Sequence, residues 1–249
     1  MPLIWMLGPL EVGDPRRACV EPLRHKQREL LTLLLIRAGS VVSAGEIIDT
    51  LWGEHPPPSA RANLYNYVGD LRRVLQRVSP EAGLRPRHSG HGYRLDVRPD
   101  ECDAVLFERL AIQGHQALAA KRPVQAVDHL TRALALWRGP VLDGLDGEWL
   151  APTVARLEEA HVGAIEDHVQ ARLVLGQYAS LSVELTAATA RYPLRERLWG
   201  QLMTALYGSG RRAEALVAYA RLQDLLDREL GVRPGAAVRT LHRHILADG

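Results

Sequence analysis

Apolar side chains recur at three- and four-residue steps along most of the chain, and short β-rich runs stand near its start. The clearest stripe lies between Ser59 and Val78, where Leu64, Tyr67, Val68, Leu71, Val74, Leu75 and Val78 fall on one side of a helix. At about 100° per residue they cover roughly one third of the circumference. The opposite face carries Ser59, Ala62, Asn66, Gly69, Asp70, Arg73 and Arg77, with Asn63, Tyr65 and Arg72 on its flanks. The helix should end near Ser79-Pro80, because proline disfavours helical geometry in the residue before it. Two helices are expected ahead of it. Lys26–Ala38 turns Leu30, Leu31, Leu33, Leu34 and Leu35 to one wide face and stops at Gly39, and Ser43–Trp52 opens on a serine with Glu46 at capping-box spacing. The stiff loop His55–Pro58 leads into Ser59, a residue type suited to capping the long helix. Leu3–Val12 and Ala18–Leu23, separated by Gly13-Asp14-Pro15, suit a small antiparallel sheet, and Leu84–Leu95 reads as two extended runs around the turn Gly90-His91-Gly92.

From residue 103 onward the pattern is helical. Segments are expected over Asp103–Ala120, Val124–Trp137, Glu148–Leu175, Tyr178–Arg191, Leu194–Tyr207, Ala213–Leu230 and Gly235–Ala247. Leu175-Gly176-Gln177-Tyr178 is followed 34 residues later by Ser209-Gly210-Arg211-Arg212, each opening an Ala-rich helix. That is the tetratricopeptide spacing, and Ala215, Tyr219 and Leu222 supply a small/large alternation for close helix pairing. An unrelated helical bundle is the other reading of the same pattern. The fold class is α+β, mostly α: strands, three helices and a hairpin over residues 1–98, then an all-α part over 103–249.

Charge separates the two parts. The chain is +2 overall, but residues 1–100 sum to +3 and the remainder to −1. Between Arg61 and Arg98 there are eight arginines, no lysine and only Asp70, Glu81 and Asp96 as acids. A basic helix followed by a basic hairpin has the shape of a winged-helix DNA reader. A surface helix with solvated arginines has the same composition. The only lysines are Lys26 and Lys121, so phosphate contacts would be made mostly by bidentate guanidinium groups. Cys19 and Cys102 are far from each other and from ligand-like spacing, which favours reduced, buried thiols. No membrane span or signal peptide is expected, and the chain is read as cytoplasmic.

Catalytic signatures are absent. There is no phosphate-binding Gly-x-x-x-x-Gly-Lys-Ser/Thr and no Gly-x-Ser-x-Gly elbow. His242-Arg-His244 and His88 with His91 lack Cys or carboxylate partners at metal-ligand spacing. No catalytic residue, metal or cofactor is assigned.

Several local runs carry a family likeness. Leu7-Gly8-Pro9-Leu10-Glu11-Val12, Lys26–Leu31, Ile47–Gly53, Pro56–Arg61, Leu71–Leu75 and Gly92-Tyr93-Arg94-Leu95, in this order, resemble the OmpR-type winged helix of the Streptomyces antibiotic regulatory proteins. Ala133–Pro140, Arg156–Glu159, Pro193–Leu198 and Glu229–Gly235 resemble the bacterial transcriptional activator domain that follows it in that family. The resemblance implies a pathway-specific transcription activator for antibiotic or other secondary-metabolite genes. It implies binding as a side-by-side homodimer to promoter direct repeats of double-stranded DNA, with recruitment of RNA polymerase holoenzyme and association with the nucleoid. The helix Ser59–Val78 would enter the major groove with Asn66, Asp70 and Arg73 nearest base edges and Asn63 and Tyr65 beside them. Arg61, Arg72 and Arg77 would clamp phosphates, and the wing would bring Arg87 and His91 to the adjacent minor groove. Arg94 is either a further contact or a structural partner within the hairpin, and Tyr93 is expected in the core. Gly69-Asp70 departs from the family, whose members tend to carry a cation there. A helical domain that binds a small effector, and an adaptor that no longer reads DNA, are the competing readings.

Overall fold

A computed structural model of the chain describes residues 2–14, 19–78 and 86–248. These fall into two compact units: residues 1–110 with 132–161, and residues 111–131 with 162–249.

In the first unit the N-terminal run does not form one strand. Gly8, at φ +148°, and Pro9 interrupt Leu3–Val12, and the chain doubles back on itself. The result is a three-stranded antiparallel sheet of β1 (Ile4–Trp5), β2 (Glu11–Asp14) and β3 (Cys19–Glu21), with Ile4 opposite Val12 and Val12 opposite Glu21. Gly13-Asp14, expected between strands, belongs to β2. Three helices follow, α1 (His25–Ile36), α2 (Ala44–Trp52) and α3 (Ala60–Val78). Half of the expected capping box forms on α2: the Ser43 hydroxyl accepts from the Glu46 backbone N–H at 3.0 Å, while the Glu46 carboxylate pairs with Arg37. The expected end of α3 at Ser79-Pro80, and Leu84-Arg85 at the start of the hairpin, lie outside the described residues.

A second sheet was only partly expected. The hairpin β5 (Arg87–Ser89) and β6 (Gly92–Arg94) pairs along β6 with a third strand, β4 (Val41–Ser43), in the order β4-β6-β5. Gly92 makes this possible: a Cβ there would lie 2.0 Å from the Val42 carbonyl oxygen. The two-residue connection is opened by Gly90 at φ +58°, as a primed hairpin turn demands. Leu30, Leu31 and Leu34 of α1, Ile47 and Leu51 of α2, and Leu64, Val68, Leu71 and Leu75 of α3 are buried, as are Val42 and Tyr93 of the sheet and Leu95 just after it.

The same unit includes a segment far down the chain. Asp103, fully buried at the start of α4 (Asp103–Ala119), accepts from the backbone N–H groups of Met6 at 2.7 Å and Leu7 at 3.0 Å. Arg138 and Leu142 donate their backbone N–H groups to the carbonyls of Leu7 and Met6, at 2.8 and 2.9 Å. The Arg138 guanidinium lies over the Trp5 ring and pairs with Glu11. Trp137, expected at the end of a helix, lies beyond α5 (Pro123–Leu134), stacked on His161 with ring centroids 3.8 Å apart. A 3-10 turn at Glu148–Leu150 precedes α6 (Ala151–Val174).

The remaining helices are α7 (Tyr178–Arg191), α8 (Glu196–Gly208), α9 (Arg212–Leu230) and α10 (Ala236–Ala247). Leu181, Leu185, Leu198, Met203, Leu222 and Ile245 are fully buried among them. The 34-residue spacing read at Gly176 and Gly210 corresponds to one conformation used twice, with φ +75° and +76° and equivalent hydrogen bonds. Lys121, between α4 and α5, adopts it a third time at φ +56°. No described helix is long and apolar enough to cross a membrane.

Candidate nucleic-acid interface

The face of α3 follows from its sequence. Ala60, Leu64, Val68, Leu71, Val74 and Leu75 point inward, and Tyr67 is partly buried in a stack on Trp52 with centroids 6.3 Å apart. The side turned away presents Arg61, Ala62, Tyr65, Asn66, Arg73 and Arg77 to solvent, with Tyr65 71% exposed. Gly69 lies mid-way along this row, and nothing stands within 4 Å of where its Cβ would be. Small residues, an amide, a phenol and guanidinium groups thus share one exposed surface, which is the chemistry required to reach base edges.

Each candidate side chain has a defined surrounding. The Ser59 carbonyl accepts from the Asn63 N–H at 2.8 Å, closing the first turn, and its hydroxyl accepts from the Asn63 side-chain amide at 3.2 Å. Arg61 and Arg87 are exposed and make no side-chain hydrogen bond or ion pair to other described residues. Arg72 is half-buried and donates Nε–H to the Pro86 carbonyl at 2.7 Å, tying α3 to the start of the wing. Arg73 pairs with Asp70, whose other oxygen accepts from the Gln27 amide at 2.9 Å. Arg77 forms a two-point pair with Glu21 of β3, at 2.7 and 3.2 Å. The Arg77 hydrogen bond holds the Glu21 carboxyl below its usual range, and Glu21 in turn raises the Arg77 guanidinium. His91 is exposed at the hairpin turn, with its carbonyl receiving the Ala44 N–H at 3.1 Å. Arg94 is held by Asp96 at 2.7 Å, and Tyr93 is buried edge-on against His88.

Helical spacing alone groups the candidate residues of α3 on one face but carries no signal of their intramolecular partners. Those partners are Glu21, Gln27 and Pro86, with Asp96 for Arg94 of the hairpin. The contacts of Glu21 and Gln27 with α3 span 56 and 43 positions, and no local periodicity signals them.

Comparison with known proteins finds matches along nearly the whole chain. Residues 20–95 match the family model "Transcriptional regulatory protein, C terminal", and residues 102–246 match "Bacterial transcriptional activator domain". Regulatory protein DnrI of Streptomyces peucetius is 39% identical over 97% of this chain and 90% of its own length. The chain belongs to the Streptomyces antibiotic regulatory protein family. Members of that family are transcriptional regulators, not enzymes. Transcriptional regulator RedD of Streptomyces coelicolor, at 40% identity, is matched over 98% of this chain and 70% of RedD. The solved structure of EmbR from Mycobacterium tuberculosis in complex with a low affinity phosphopeptide superposes with a TM-score of 0.91 at 36% identity. It covers 98% of this chain, whereas the chain spans only 65% of EmbR. A winged helix followed by helical hairpins is therefore the architecture shared with a solved family member.

Proposed function

We propose that this regulator is a sequence-specific DNA-binding transcription activator, with α3 reading the major groove and the β5–β6 wing following the adjacent minor groove. The observation carrying this reading is the exposed face of α3, where Asn66 and Arg73 lie in a row of small residues flanked by cations. Asn suits adenine through paired contacts and Arg suits guanine. Arg61 and Arg87, without partners among the described residues, are assigned as phosphate contacts, and Arg77 joins them by exchanging Glu21 for phosphate. Arg72 and Arg94 then serve chiefly to fix the wing. Kinship with the antibiotic regulatory proteins supports secondary-metabolite genes as targets and tandem promoter repeats bound by a homodimer in the cytoplasm, at the nucleoid. Contacts to RNA polymerase holoenzyme are assigned to the helical part, where a groove of about 810 Å³ is lined by Trp199, Leu202, Val217 and Arg221.

Footprinting of the purified full chain on the DNA upstream of its neighbouring genes tests the reading. A protected direct repeat is expected, with affinity falling steeply as salt rises. Arg61→Ala or Arg87→Ala should each lower the logarithmic salt slope by about 1. Absence of any protected site, or binding indifferent to salt, would exclude DNA reading as the function.

A further inference from the structure

We propose that Gln27 and Asp70 are positioning residues that aim Arg73 at its base, so that α1 takes part in sequence choice without touching DNA. The inference rests on the assignment of α3 as the base-reading helix. A continuous chain of polar contacts carries it. Gln27 is only 5% exposed, and its side chain is fixed at both ends. Its carbonyl oxygen accepts from the Arg24 backbone N–H at the start of α1, at 2.9 Å, and its amide donates to one Asp70 oxygen, also at 2.9 Å. The other Asp70 oxygen holds Nη2 of Arg73. Arg73 is otherwise exposed, with its side chain 73% accessible, so the contact tethers one end of the guanidinium while leaving its remaining N–H groups for a base. A long, flexible side chain loses substantial rotamer entropy when it binds, and pre-ordering reduces that cost at the moment of reading.

This accounts for an acid on a DNA-facing helix. Asp70 repels phosphate, so it lowers affinity for every sequence, while the orientation it imposes on Arg73 raises the margin between right and wrong bases. A purely structural residue would act on both quantities in the same direction.

The test is selection of binding sites by the full-length protein from a double-stranded oligonucleotide library randomised across the wild-type footprint, together with affinities for cognate and unrelated duplexes at several salt concentrations. Arg73→Ala should erase preference at one base pair, a loss of roughly ten-fold in discrimination. Asp70→Asn keeps an acceptor for Gln27 but loses the ion pair. It should weaken preference at that same base pair by roughly three-fold or more while binding unrelated DNA more tightly with a steeper salt slope. Gln27→Ala should weaken the same preference, and the Gln27→Ala/Asp70→Ala double variant should do no more than Asp70→Ala alone. If Gln27→Ala does not fold, Asp70→Asn decides the matter. Unchanged preference at the Arg73 base pair in Asp70→Asn overturns the proposal, as does an equal loss of preference at every position. A footprint without base preference in the wild type would instead remove the base-reading assignment, and this proposal with it.

Discussion

The winged unit and the helical hairpins solve the same problem, satisfying backbone polar groups where the chain turns, in opposite ways. In the winged unit the N–H groups of Met6 and Leu7 are taken by a carboxylate 97 and 96 positions away, and their carbonyls by Leu142 and Arg138. In the helical part each turn closes itself. The N–H of Gly176 returns to Leu173 and that of Gln177 to Arg172, and Gly210 and Arg211 repeat this with Tyr207 and Leu206. Strands of two to four residues cannot hold themselves in register, so the first design depends on a few long-range groups. The second spreads its stability over many local ones. Damage at one residue should therefore be severe in the winged unit and mild in the helical turns.

The largest effect is expected at Asp103. Asp103→Ala leaves two buried backbone donors without acceptors, at about 1–3 kcal/mol each, so the loss should total about 2–6 kcal/mol in urea denaturation. A loss under 1 kcal/mol would show that the N-terminal sheet does not depend on its distant partner.

The same residue should give the winged unit a dependence on pH. Burial pushes the Asp103 carboxyl up from 3.8 to about 6, outweighing the backbone hydrogen bonds from Leu7, Met6 and Ala104 and the charge of Arg138, which favour its charged form. A carboxyl raised in the folded state takes up protons more readily there than in the unfolded chain. Its contribution is thus complete below about pH 4 and is lost as pH rises through about 6. Between pH 4 and pH 7 the stability of the wild type relative to Asp103→Asn should fall by roughly 2 kcal/mol. A flat difference between pH 4 and pH 7 would mean that the carboxyl is ionised throughout.

How much was legible in the sequence follows the same division. The stripe on α3 was readable because Leu64, Val68, Leu71 and Leu75 recur within the helix itself, and the hairpin turn was readable because Gly90 and Gly92 mark it locally. Val41–Ser43 is not legible, because three residues offer no measurable alternation and the strand's pairing needs a glycine in β6, some fifty positions later, where its backbone passes. Trp137 looked like a helix residue by spacing, yet the α5 pattern ends before it and its ring finds His161 instead. At the candidate interface the cations were visible and their tethers were not. Whether Arg77 faces solvent free or bound to Glu21 depends on a strand that the sequence places 56 residues earlier.

Gly208 gives a sharper contrast within the helical part. A Cβ there would sit 2.8 Å from the Tyr178 ring, where α8 meets α7, whereas at Gly176 and Gly210 it would meet nothing within 4 Å. Gly208→Ala should cost about 1–3 kcal/mol through overpacking. Gly210→Ala should cost only its backbone strain of about 1–2 kcal/mol, offset by the roughly 0.5–1 kcal/mol that alanine saves in backbone freedom. Equal losses at both sites would mean that conformation, not packing, sets the sensitivity of these helices.

The smallest expected effect is a gain. Lys121 occupies the same turn as Gly176 and Gly210: its N–H returns to Leu118, the next N–H returns to Ala117, and its φ is +56°. A side chain in the left-handed region crowds the following carbonyl at a cost of about 1–2 kcal/mol, which glycine avoids. Glycine also has more freedom to lose on folding, by roughly 0.5–1 kcal/mol. Lys121→Gly should therefore stabilise the chain, by no more than about 1 kcal/mol, read as a rise in the urea midpoint at unchanged slope. The sign carries the argument. If three turns share one conformation because their hydrogen bonds impose it, relieving the strained copy must help. A loss on Lys121→Gly would show instead that the lysine side chain contributes contacts its two glycine counterparts do without, and that the third turn is not equivalent to the other two.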